Sequence, residues 1–238
     1  MVQKPKPRAA ANESEGRGEP KHRGEPKHRG EPKHSGEPKR RGRPRAYEPD
    51  VALGKALDLF RRQGFAATSL DDLSEATGMN RPSLYGAFGD KRELYIKSYQ
   101  RYREDARASM VEIFRQEMPV RQRLERIFAS ALNIYLSGET GPRGCFTVVT
   151  AASEAVGDPE IRAMVIDGLA ELDKAFTNCF RRAREKGELP ESADPAALAL
   201  LASATVHSIA IRSRARVSRK DLEAIVKGAI DLMVGVKG

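Results

Sequence analysis

Between Thr68 and Lys91 the chain reads TSLDDLSEATGMNRPSLYGAFGDK, a stretch rich in donors and poor in nucleophiles. Arg81, Pro82, Ser83 and Gly86 flank or occupy one side of a short segment, which makes that side small and polar. Gly86 has no side chain to hold the backbone away from a partner, although it costs about 1 kcal/mol of helix propensity against Ala. Such a surface suits entry into a DNA groove. Cys145 apart, no reactive group or catalytic signature stands out: there is no Walker A loop, no GxGxxG after a strand, no HExxH, no nucleophile elbow and no cysteine pair at zinc spacing. An enzyme, a cofactor and a bound metal are not expected.

The elements that must position these residues follow from the same letters. Thr68 and Ser69 cap a helix carrying Leu70, Leu73 and Ala76 at helical spacing, with Asp71 and Asp72 in the first turn, where the macrodipole favours acids. Gly78 ends it, Asn80 caps the next, and Pro82 just inside the start costs no hydrogen bond. The break spans only Thr77 to Asn80, so the pair reads as a helix-turn-helix. Leu84 and Phe88, four apart, face inward. Lys91 stands in the first turn of a helix beginning near Asp90 and opposes the dipole there, a conflict a DNA phosphate in front of it resolves. A preceding helix from Pro49 to Gln63, with Val51, Ala56, Leu57 and Phe60 inward and Gly64 as C-cap, completes a three-helix unit.

This stretch resembles the N-terminal DNA-binding domain of the TetR/AcrR family of bacterial transcriptional regulators, over roughly residues 47 to 102. The markers are Phe60, Gly64-Phe65, Thr68-Ser69, Gly78, Leu84-Tyr85, Phe88 and Lys91 to Leu94. The resemblance implies that Arg81 and Ser83 touch base edges, that Pro82 makes an apolar contact, and that Tyr85 and Lys91 bind phosphates. Thr68, Ser69, Asn80 and Gly86 complete the expected DNA-binding set. It also implies a C-terminal helical bundle whose last two helices pair with a second subunit.

Charge is distributed unevenly. Residues 1–46 hold 14 Lys and Arg against 6 Glu, a net +8, whereas the remaining 192 residues are close to neutral at +1. The units RGEPKH at positions 17, 23 and 29, SGEPKR at 35 and RGRPRA at 41 place Pro and Gly in every repeat and nothing apolar before the last. This predicts a disordered basic arm facing a polyanion. His22, His28 and His34 stand about 19 Å apart along an extended polyproline chain, too far for a shared metal. Arg41-Gly42-Arg43-Pro44-Arg45 resembles an AT-hook core, and an Arg-bearing arm just before the first helix is where homeodomain-type arms reach the minor groove.

Beyond the head, helical periodicity continues. A helix from Asp90 carries Leu94, Tyr95, Ser98, Tyr99, Tyr102, Ala106, Met110 and Ile113 until Pro119; another spans Val120 to Ser137 with Leu124, Ile127, Phe128, Ala131 and Tyr135 inward. Gly144-Cys145-Phe146 opens an apolar helix ending near Gly157, and Asp158-Pro159 and Asp194-Pro195 start two more. Ser218 caps the last. Ala196, Ala199, Ala202 and Ala210 permit close helix approach, either within the chain or across a dimer. Cys145, two residues after Arg143 and near a helix start, is a candidate sensor thiol, although buried thiols are more often inert. Tyr99, Tyr102, Phe128 and His207 are the other candidates for ligand contact. Cys179 reads as core. With two cysteines, no apolar leader and no uninterrupted apolar run near 20 residues, a cytoplasmic protein off the membrane is expected.

The sequence therefore predicts an all-α fold in three parts: a disordered arm over 1–46, a helix-turn-helix head over 47–92, and a ligand-binding and dimerisation bundle over 93–238. The expected function is sequence-specific regulation, as a dimeric repressor released from a palindromic operator by a small molecule. The alternative is an architectural, sequence-tolerant DNA binder dominated by its arm.

Overall fold

The computed structural model describes residues 48–138 and 141–236, and all regular structure among them is helical, with no strand. The arm, with Arg41, Arg43 and Arg45, lies outside the described residues. Helix α1 (Pro49–Gln63) begins at a proline and ends at Gly64, as its sequence dictates. Its buried stripe is Ala52, Ala56, Leu57, Leu59, Phe60 and Arg61. Val51, expected inward, is 54% exposed, because it lies about 100° around the helix from Ala52, which is 2% exposed.

Two short helices follow, α2 (Leu70–Thr77) and α3 (Arg81–Phe88). Ser69 caps α2 through a reciprocal capping box with Asp72, and Asn80 Oδ1 accepts the Ser83 amide at 2.9 Å to cap α3. Helix α4 (Lys91–Arg115) is capped by Asp90 and stops short of Pro119: Gln116 is already extended, and its carbonyl accepts a 2.6 Å bond from Arg123 Nη2. Helix α5 (Val120–Leu136) buries the five residues expected of it.

The segment after α5 departs from expectation. Instead of one regular helix, Thr147–Ala151 forms a π-helical turn that runs into the single turn α6 (Ala152–Glu154). No side chain caps its start. What holds it comes from elsewhere: Phe146 is fully buried against the rings of Tyr95, Tyr99 and Tyr102 at 5.1, 5.2 and 5.8 Å. The Tyr95 hydroxyl pairs with Thr150 Oγ1 at 3.1 Å, and the Tyr99 hydroxyl donates to Thr147 Oγ1 at 3.3 Å.

The body is completed by α7 (Pro159–Glu185), α8 (Pro195–Arg214) and α9 (Arg219–Val234), capped by Asp158, Asp194 and Ser218 respectively. Helix α8 packs between α7 and α9, and by length and composition alone it is apolar enough to cross a bilayer, with a mean hydropathy of 1.4. Ala199, Ala202 and Ala210 are buried within the chain, so these alanines serve intrachain packing; Ala196 alone of the four is exposed. One continuous apolar core runs from Ala52 in α1 to Met233 in α9.

Candidate nucleic-acid interface

The recognition surface is assembled from α2, the turn and α3. Gly78 adopts the left-handed conformation (φ 72, ψ 17) that ends α2 in a single residue, and Met79, 3% exposed, anchors the turn. Leu73, Leu84 and Phe88 bury the inner side of the pair. At the far end Gly89 makes the corner into α4: at φ 83 an added Cβ would stand 1.7 Å from Glu93 Oε2. Lys97 Nζ donates to the Phe88 carbonyl at 2.8 Å, capping the C-terminus of α3 from α4. The recognition helix is thereby tied to α4 at its end.

On the outer side Arg81, Pro82, Tyr85 and Gly86 are exposed, and Ser83 and Lys91 are half-buried beside them. Tyr85 remains 47% exposed. Around Gly86 an added Cβ would meet nothing, so its bareness serves no internal contact. Asp71 Oδ1 accepts from Arg81 Nε at 3.0 Å and from Nη2 at 2.6 Å. One edge of the guanidinium is thus engaged across the turn, and the Nη1/Nη2 edge is left for a partner. Asp71 was not among the residues expected to matter here, although its place in the first turn of α2 is legible.

Three expectations are refined. Thr68 is 1% exposed and donates its hydroxyl to the Gly64 carbonyl at 2.6 Å, so its side chain faces inward. Ser69 is exposed but spent on Asp72, donating at 2.7 Å and accepting the Asp72 amide at 3.1 Å. The Ser69 hydroxyl and the Ser69 backbone amide both donate to Asp72 Oδ2, and they hold the Asp72 carboxyl below its usual range. Lys91 finds a partner within the protein: its Nζ stands 4.3 Å from the Phe65 ring centroid, and the Asp90–Glu93 capping box supplies the negative charge at the helix start.

A second site lies in the body. A cavity of about 420 Å³ between α4 and α7 is lined by Tyr102, Tyr135, Cys145 and His207, among others. Two ligand candidates fall elsewhere. Tyr99 stacks on Phe146 and points its hydroxyl at Thr147, and Phe128 is fully buried against Phe176, so both are core. Cys145 is 7% exposed and lines the cavity beside Tyr102 and Tyr135, whose phenols burial pushes well above their ordinary range. Arg143, expected to activate that thiol, instead pairs with Asp58 at 2.6 Å.

Head and body meet at Arg61, a residue that no motif in the sequence singles out. This side chain of α1 is 6% exposed; its Nη2 donates to the carbonyls of Gly144 at 2.5 Å and Ile134 at 3.3 Å, and its Cζ stands 5.1 Å over the Tyr102 ring. Its Nε is buried without a partner, and burial lowers the guanidinium's pKa. From α8, Arg214 donates to the Arg61 carbonyl at 2.9 Å and to that of Arg62, holding the end of α1. The signal that could have found Arg61 is its spacing, four residues after Leu57 on the buried stripe.

A capped helix-turn-helix with a bare outer side, joined to a helical body, defines a DNA-binding regulator, and the comparisons agree. Residues 52–97 match the model for bacterial regulatory proteins of the tetR family, and residues 108–229 match the tetracyclin repressor-like C-terminal domain. The HTH-type transcriptional repressor ComR of Escherichia coli K12 is 31% identical over 182 residues, which span 76% of this chain and 86% of ComR. The uncharacterized HTH-type regulator YezE of Bacillus subtilis 168 is 30% identical over 65% of this chain and 80% of its own. Among solved structures, a cysteine variant of the TetR family regulator CifR complexed with 26-bp double-strand operator DNA superposes with a TM-score of 0.71 at 28% identity. That match covers 79% of this chain and 98% of CifR. The chain belongs to the TetR family. It is a DNA-binding transcriptional regulator, not an enzyme.

Proposed function

We propose that the protein is a repressor that binds a palindromic operator as a homodimer through residues 47–92 and is released when a small molecule enters the body formed by residues 93–238. The observation that carries this reading is the outer side of α3, where Arg81 is braced by Asp71 with its Nη1/Nη2 edge unspent beside Pro82, Ser83 and Gly86. That edge matches guanine O6 and N7, while Tyr85, Lys91 and the Asn80 amide sit where phosphates would run. ComR is a repressor and CifR binds operator DNA, which supports the same role here. Arg41, Arg43 and Arg45 are assigned to the minor groove beside each half-site.

Dimerisation is assigned to α8 and α9, which leave Leu200, Leu201, Ile211 and Leu232 exposed at 59, 42, 57 and 81%. Two heads held about 34–36 Å apart read successive major grooves on one face of DNA. Release runs through Tyr102: a ligand that moves this ring disturbs the guanidinium of Arg61 behind it, and α1 shifts with α4 and the attached α3. Such a regulator works in the cytoplasm, where its DNA is.

The test is operator selection followed by titration. The wild type is expected to prefer its selected palindrome over random duplex by ~10³ or more at physiological salt. Arg81→Ala is expected to cost about 1–3 kcal/mol and relax one base pair per half-site. A ratio near one in the wild type would instead establish the architectural reading. In sedimentation, Leu200→Glu is expected to shift the protein from dimer to monomer.

A further inference from the structure

Resting on the reading of the α4–α7 cavity as the effector site, we propose that its ligand is an amphipathic organic acid: an apolar body seated inside, with the acid group at the mouth between Arg107 and Lys174. The interior is set by Met110, Phe114, Leu169, Leu172 and Val206, and a volume of about 420 Å³ falls within the small-molecule range of about 300–1,000 Å³. At the inner end burial raises the Tyr102 and Tyr135 pKa values well above their ordinary range, so both hydroxyls stay neutral and that end offers no charged partner to a ligand. His207 adds no charge at neutral pH, because burial lowers its pKa more than Asp173 raises it.

The mouth is different. Arg103 and Arg107, one turn apart on α4, face Glu171 and Lys174 on α7. Arg103 is committed, donating to Glu171 Oε2 at 3.0 Å and to the Met164 carbonyl at 3.0 Å. Among the described residues Arg107 and Lys174 have no ion-pair partner, so the mouth carries three cations against one acid. This excess is local, for residues 47–238 together carry only +1. A cationic ligand would meet no unspent carboxylate there, and an uncharged one would leave both cations idle.

The experiment uses the full chain and two dyes that differ chiefly by a charge: 1-anilinonaphthalene-8-sulfonate and the uncharged N-phenyl-1-naphthylamine. The sulfonate is expected to bind about tenfold more tightly at low salt, the scale of two partly exposed ion pairs, and the preference is expected to shrink as salt rises. Arg107→Gln with Lys174→Gln should abolish the preference while the uncharged dye still binds, and each single variant should remove part of it. Ala106→Trp, which fills the cavity, should exclude both dyes. Equal affinities in the wild type, an undiminished preference in the double variant, or sulfonate binding that survives Ala106→Trp in a folded protein would each overturn the proposal. If Ala106→Trp does not fold, the single and double charge variants decide. Operator affinity under saturating sulfonate separates the two readings: binding with the expected preference but no change in operator affinity retires the effector role and leaves the ligand class standing.

Discussion

The helix-turn-helix and the turn at Thr147–Ala151 are held by opposite means. In the head, Ser69, Asn80 and Asp90 each cap the helix they precede, within three residues along the chain. The π turn has no capping side chain and keeps its shape through groups from distant helices: the tyrosines of α4 and, one residue before Cys145, the Arg61 bond to Gly144. Helix starts encoded this locally keep their caps whatever the body does. A turn shaped from outside responds when its surroundings change, and π turns recur at functional sites for related reasons.

The strongest way to break this comparison is to remove the wedge. Phe146→Ala is expected to cost about 3–5 kcal/mol in urea or thermal unfolding, because a fully buried ring touching three tyrosines leaves a cavity the core cannot close. A loss under about 1 kcal/mol would show that the turn is held locally after all. On the other side, Asn80→Ala removes one cap and is expected to cost about 1 kcal/mol. Its loss should appear as faster amide exchange in α3, with the body unchanged.

Gly86→Ala sharpens the comparison further, since it separates the interests of the fold from those of the surface. With nothing within reach of the added methyl, the fold should gain up to about 1 kcal/mol from helix propensity. Operator affinity should fall severalfold in the same protein, as the methyl holds α3 off the groove. A Gly86→Ala variant that melts higher and binds equally well would show that Gly86 is not at the DNA contact.

The smallest effect concerns the joint between α4 and α7. Arg92 donates from Nε and Nη2 to Asp158 and holds its carboxyl at about 2. An unfolded aspartate titrates near 3.9, so this contribution is complete above about pH 4 and is lost as the pH falls towards 2. Asp158→Asn is therefore expected to flatten the acid limb of the stability curve between about pH 4 and 2 and to change little at neutral pH. An unaltered acid limb would mean that the ion pair is fully screened by solvent.

The same contrast governs what could be read from the letters. Each helix start signalled by Ser, Asn or Asp followed by a suitable first turn was legible, as at Ser69, Asn80, Asp90, Asp158, Asp194 and Ser218, because a cap is a bond between near neighbours. Val51, Thr68 and the alanines of α8 were not, since the side of a helix that is buried depends on what is packed against it. The turn at Thr147 and the burial of Arg61 are extreme cases: both are fixed by residues tens of positions away. In the interface, the residue types of α3 were legible and the brace from Asp71 was not, because a contact ten residues distant follows only from the angle between α2 and α3.

Arg61 has a consequence for the history and engineering of such proteins. Its guanidinium is buried by Tyr102, Gly144 and Ile134, none of which belongs to the first three helices. Cut away from the body, α1 would carry an exposed apolar stripe and a cation stripped of its acceptors. The head is therefore not an interchangeable module: a chimera joining it to a foreign body must bring along Tyr102 and the carbonyls of Ile134 and Gly144, or replace Arg61 with an apolar side chain of similar length.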